Sequence, residues 1–202
     1  GATYGGGQII NFSGTASDPE DGTLGGGSFT WYTIFHHDAH THPGPSATTA
    51  SASGSFTIPN AGETASNVFY RLYLVVTDPD GARDTTYRDI LPRTSTITLN
   101  TNPQGLQVTL DGQPFTAPLT VTSVEGTLRS IGTTTTQSQN SVSYNYSNWS
   151  NGGSQTQTFA TPENNVSFTA NFAAAATLPV INTQPQSITV ASGSNAVFSV
   201  TA

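Results

Sequence analysis

Between Phe69 and Thr77 the residues fall into two alternating sets, Phe69, Arg71, Tyr73 and Val75 against Tyr70, Leu72, Leu74 and Val76. That is the period of a β-strand. Shorter alternating runs recur along the chain between clusters of Gly, Pro, Asn and Asp, and no stretch keeps apolar residues at helical spacing for the length a helix needs. An all-β chain of tandem immunoglobulin-like β-sandwich domains is therefore expected.

The punctuation divides the 202 residues into three parts. In residues 1–92 strands are expected at Gln8 to Ser13, Ser28 to His37, Gly54 to Ile58, Phe69 to Thr77 and Arg83 to Leu91, with Trp31 as the core aromatic. Residues 93–175 form a second β-domain with strands at Ser95 to Thr101, Gln107 to Leu110, Leu119 to Ser123, Thr127 to Ile131, Val142 to Trp149, Gln155 to Phe159 and Val166 to Phe172. Asp111-Gly112 tolerates positive φ and predicts a tight hairpin turn. The polar tract Thr133 to Gln139 reads as a loop. Residues 176–202 carry two strand patterns, Gln186 to Val190 and Ala196 to Thr201, which are either the start of a third domain or strands donated to a neighbour's sheet.

Charge narrows the partners. Five cations, all Arg, stand against twelve acids, a formal net charge of -7 that repels nucleic-acid backbones. The apolar runs are too short for a membrane-spanning helix. With few charges, much Thr, Ser, Gly and Asn, and no Cys, the composition suits a secreted or cell-surface protein. The chain opens directly on strand patterning and closes on Ala-Val-Phe-Ser-Val-Thr-Ala, so it is expected to be a segment of a longer polypeptide.

All four histidines lie in His36-His37-Asp38-Ala39-His40-Thr41-His42-Pro43. Imidazole is a preferred ligand of zinc and copper. Alternation puts His36 and His37 on opposite strand faces, so His37 with His40 and His42 on the following loop makes the better trio, completed by His36 or Asp38. Packing of one or two of these rings on Trp31 or Tyr32 is the competing expectation.

The acids also gather. In an immunoglobulin-type strand order, the turn holding Asp18, Glu20 and Asp21 and the turn holding Asp78, Asp80 and Asp84 share one end of the sandwich, where their carboxylates would suit calcium. The same residues make ordinary Asp-Pro turns. The His segment falls at the opposite end.

Catalytic templates are absent from the pattern. There is no Gly-x-Ser-x-Gly elbow, and the acids sit in turns rather than across a cleft. Gly5-Gly6-Gly7 and Gly25-Gly26-Gly27 lack the strand-turn-helix setting of a phosphate loop and read as connectors. Carbohydrate binding is the main rival, because Tyr144, Tyr146 and Trp149 alternate with polar residues on one strand. Tyr144 and Tyr146 share a face, with Trp149 on the other unless a bulge intervenes, and a core Trp149 is expected ahead of a binding one.

Ser17-Asp18-Pro19-Glu20-Asp21-Gly22, the strand ending in Trp31-Tyr32-Thr33-Ile34-Phe35-His36-His37, and Val75-Val76-Thr77-Asp78-Pro79-Asp80-Gly81 together resemble a PKD-type sandwich. The His segment resembles the PKD-like domain attached to secreted bacterial glucose/sorbosone dehydrogenases of the pyrroloquinoline-quinone type. Tyr146-Ser147-Asn148-Trp149-Ser150-Asn151-Gly152-Gly153 with Phe168-Thr169-Ala170-Asn171-Phe172 is similar to bacterial surface repeats related to internalin B-repeats. The stretch Thr183 to Gly193 resembles the opening of a bacterial immunoglobulin-like domain. No part resembles the quinone-bearing propeller of those dehydrogenases.

These resemblances imply a non-enzymatic structural or adhesive accessory segment of a large secreted or surface protein. Its partners would be other domains of the same chain, a polysaccharide, or neighbouring copies in an extracellular filament built by strand donation.

Overall fold

A computed structural model of the chain describes residues 1–45 and 48–200. Among them the architecture is all-β, and the one helical feature is the single 3-10 turn Gly26–Ser28, inside a stretch expected to be a plain connector.

The first sheet runs in the order Ala2–Tyr4, Arg83–Pro92, Val68–Thr77, Phe29–His37 and His40–Pro43, with Thr48–Thr49 also paired to Phe29–His37. Its long central strands alternate as the sequence dictates. Phe29, Trp31, Val68, Tyr70, Leu72 and Leu74 are buried on one face. The ladder of Ile9–Ser13 with Ser53–Thr57 covers that face, and Phe12 lies against Trp31 with ring centroids 4.7 Å apart. Trp31 is the core aromatic that was expected, and its Nε1 donates to the Ser51 carbonyl at 3.0 Å.

Two further sheets enclose a second core. One has the order Leu119–Val124, Thr94–Asn102, Val166–Ala174, Val142–Trp149 and Thr136–Gln139; the other has Gln113–Thr116, Gln107–Leu110, Leu128–Gly132 and Gln157–Ala160. Between them lie Ile97, Leu99, Val108, Ile131, Trp149 and Phe168, each nearly inaccessible to solvent. Asp111 and Gly112 take φ of 50° and 79°, which makes the tight turn that joins Gln107–Leu110 to Gln113–Thr116.

The cores meet at a close backbone contact. Gly6 donates its N–H to the Glu125 carbonyl at 2.7 Å, and Gly126, at φ 76°, lies so near Gly6 that a Cβ there would come within 2.3 Å of the Gly6 oxygen. Arg93 closes the same junction with a bidentate pair to Glu125 at 2.6 and 3.2 Å.

Two expectations are corrected. Thr133 to Gln139 is not all loop, since Thr136–Gln139 is a strand paired with Val142–Trp149. Its Gln137 side chain bonds both the backbone N–H and the carbonyl of Gln107, a pairing no local hydrophobic pattern encodes. In the last part of the chain, Gln186 to Val190 and Ala196 to Val200 form no strand, and Val197, Phe198 and Val200 are exposed. Alternation gives a strand only where a partner supplies the ladder, and none does so for these runs among the described residues. Thr201, the last residue of that expected strand, lies outside the described residues.

Candidate metal centre

His37 and His40 are paired directly across an antiparallel hairpin in which only Asp38 and Ala39 make the turn. Asp38 takes φ 48°, a left-handed conformation that aspartate tolerates. His40 and His42 therefore stand on the strand His40–Pro43 and not on the loop expected for them.

Pairing is what gathers the trio. Directly opposed residues share a sheet face, and so do residues two apart on one strand, so His37, His40 and His42 project together. One ligand atom from each lies within 4.8 Å of the others. Ring centroids are 4.9 Å apart for His37 and His40, and 4.8 Å for His40 and His42. His37 is partly buried, while His40 and His42 are exposed. Among the described residues, this is the His, Cys or acidic group whose ligand atoms converge enough to hold a metal ion.

His36 is not part of it. Its ring turns to the opposite face and stacks on Phe69, its cross-strand partner, at 4.2 Å and 10°. Packing was expected on Trp31 or Tyr32; the register selects Phe69 instead. Its Nε2 is buried without a hydrogen-bond partner.

Two carboxylates flank His37. Asp38 Oδ2 lies 3.1 Å from His37 Nε2, and its other oxygen accepts a hydrogen bond from Asn67 Nδ2. Glu63 Oε2 lies 3.3 Å from the same nitrogen, while its Oε1 accepts the Ala65 N–H at 2.6 Å. Glu63 is a neighbour of His37 that sequence reasoning missed, because it sits alone in a connection far from the His segment.

Beside the hairpin is a cavity of about 360 Å³ whose lining includes Phe35, Pro43, Ile58, Glu63, Val68 and Tyr70. Burial pushes the Tyr70 phenol up to about 12, and burial next to Tyr70 raises that of Tyr4 further.

At the Phe29 end of the sheet the acidic turns do meet. Asp18, Asp78 and Asp84 line one cleft of about 410 Å³, whereas Glu20, Asp21 and Asp80 do not. One oxygen of each lining aspartate is engaged by local backbone. Asp18 accepts the N–H groups of Glu20 and Asp21 at 2.7 and 3.1 Å, Asp78 that of Ala82 at 2.8 Å, and Asp84 that of Thr85 at 2.8 Å. Asp18 and Asp78 shape their turns, Asp84 stands on the strand Arg83–Pro92, and the three carboxylates do not gather as a ligand set.

The aromatic strand takes the core alternative over the binding platform. A bulge between Tyr146 and Asn148 turns Trp149 toward the core, where it is 1% exposed and donates Nε1 to the Gln155 carbonyl at 3.0 Å. Tyr144 and Tyr146 pack against the same core. The three do not form an open platform.

An aromatic row occurs elsewhere, on the outer face of the first sheet. Tyr32, Tyr73 and Tyr87 are in register on three adjacent strands. Tyr32 and Tyr73 stack at 4.8 Å, and Tyr87 lies 5.7 Å from Tyr73. Arg71 covers the Tyr87 ring at 4.1 Å and holds Asp89 through two bonds of 2.6 and 2.9 Å, which keep the Asp89 carboxyl below its ordinary range. No helix among the described residues is long and apolar enough to cross a membrane.

No protein-family model, curated protein or solved structure matches this chain.

Proposed function

We propose that the chain is a non-catalytic accessory segment of a large secreted or cell-surface bacterial protein, built from immunoglobulin-like sandwiches, in which the His hairpin binds zinc or copper. The convergence of His37, His40 and His42 on one sheet face carries this reading. Metal held there fixes the hairpin and stiffens the end of the first sheet, which suits a spacing or adhesive role. The immunoglobulin-like assignment is supported by the parallel pairing of Ala2–Tyr4 with Arg83–Pro92 and of Thr94–Asn102 with Val166–Ala174, each the first and last strands around one core.

Calorimetric titration of the metal-stripped chain with zinc and with copper(II) tests it. One ion bound with at least about micromolar affinity is expected for a three-imidazole site. Absence of heat with both ions overturns the reading.

A second reading, carbohydrate binding by an accessory region of a sugar-active enzyme, is favoured by the tyrosine row with its Arg71–Asp89 donors and acceptors. Aromatic faces beside planar polar groups suit pyranose rings. Affinity electrophoresis on a polysaccharide panel tests it, and unretarded migration on every member overturns it.

A further inference from the structure

Resting on the metal reading above, we propose that Glu63 is the fourth donor, giving a three-histidine, one-carboxylate site for a divalent cation at His37 Nε2, His40, His42 and Glu63 Oε2.

Three observations carry it. Glu63 Oε2 lies 3.3 Å from His37 Nε2, longer than the ~2.7–2.9 Å of a tight charge-assisted hydrogen bond. It matches the spacing of two donors on one tetrahedral ion, since bonds of about 2.0 Å place the ligand atoms roughly 3.3 Å apart. Next, the carboxylate is held from behind, because Oε1 accepts the Ala65 N–H at 2.6 Å and leaves Oε2 toward the imidazole. Finally, the contact is tertiary. Asp38 is His37's chain neighbour, whereas Glu63 reaches the same nitrogen from the separate connection between Ser53–Thr57 and Val68–Thr77.

The chemistry follows from that fourth donor. A carboxylate hardens the site toward Zn(II), Co(II) and Cu(II) and away from Cu(I), which prefers thiolate and thioether ligands. It also offsets one unit of the ion's charge. Because Glu63 lines the cavity that Phe35 and Val68 also wall, the bound ion ties the hairpin to the rim of that cavity.

The test uses the whole chain, with zinc competed against a chromophoric chelator and cobalt(II) as the spectroscopic probe. Glu63→Gln, nearly isosteric, is expected to weaken zinc about 10–100-fold and to alter the visible cobalt bands, with metal-free thermal unfolding unchanged. Asp38→Asn should change zinc affinity far less. Wild-type affinity and cobalt spectrum in Glu63→Gln overturn the Glu63 assignment while the histidine site stands. A larger loss in Asp38→Asn than in Glu63→Gln also overturns it, in favour of Asp38. If the unaltered chain binds neither ion, the underlying metal reading fails instead.

Discussion

His37 and His40 face each other across a two-residue turn, their ring centroids 4.9 Å apart and their planes inclined by 65°. The backbone ladder fixes this meeting, so the site is largely assembled before any ion arrives.

Removing one imidazole should abolish the stabilisation that zinc confers. An ion at a hundred times its dissociation constant adds about 2.7 kcal/mol to the folded state, or roughly 5–10 °C in melting temperature for a chain of this size. The unaltered chain should show that rise by differential scanning calorimetry, and His40→Ala should show none. Because imidazole ligates only in its neutral form, the rise should shrink as the buffer is acidified.

The buried tyrosines predict a loss of stability in alkali. Tyr4 and Tyr70 meet edge to face at 5.2 Å, and burial raises both phenols above the ordinary 10.0. The folded chain then holds protons that the unfolded chain releases. Their contribution is complete below pH 10.0 and falls as pH rises through the folded value, about 12 for Tyr70. Urea midpoints should decline over that window. Tyr70→Phe should flatten the decline, and an unchanged slope would count against this account.

Arg129 is 5% exposed, bonded through Nε to Asp111 Oδ2 at 2.8 Å and through another nitrogen to Ser123 Oγ at 3.0 Å. Asp111→Asn keeps a side chain that tolerates the turn's positive φ but leaves the guanidinium without its charge partner. A loss of about 3 kcal/mol is expected. Arg129→Met, which leaves only a part-exposed carboxylate behind, should cost less. Equal losses in urea unfolding would argue that packing, not charge, dominates there.

Trp149→Ala should be among the most damaging single changes. Truncating a buried indole in this setting costs about 3–5 kcal/mol. Tyr87→Ala, at a side chain 47% exposed, should stay within about 1 kcal/mol. If the carbohydrate reading is right, Tyr87→Ala also loses retention on polysaccharide gels while its unfolding curve barely moves.

Legibility followed the range of each signal. The strand Val142–Trp149 was placed to the residue because alternation is local, and the strands around Trp31 and Tyr70 were found within a residue or two. Thr136–Gln139 was missed because its partner contacts are polar side chains meeting backbone, which leave no hydrophobic trace. At Trp149 the expectation turned on whether a bulge intervened, and one does.

The all-β class, the two long central strands, the opposite facing of His36 and His37, and the restriction of every histidine to one short segment are all readable from the order of residues. Each is a consequence of period-two geometry or of residue identity, which need no distant partner. Folding in three dimensions is what sets His40 and His42 on a strand, brings Glu63 to 3.3 Å from His37, buries Trp149, and lines up Tyr32, Tyr73 and Tyr87 across three strands. Register between strands sets the histidine, Trp149 and tyrosine placements, and the packing of a connection sets that of Glu63; register is fixed by the summed pairing and packing of residues far apart in the chain.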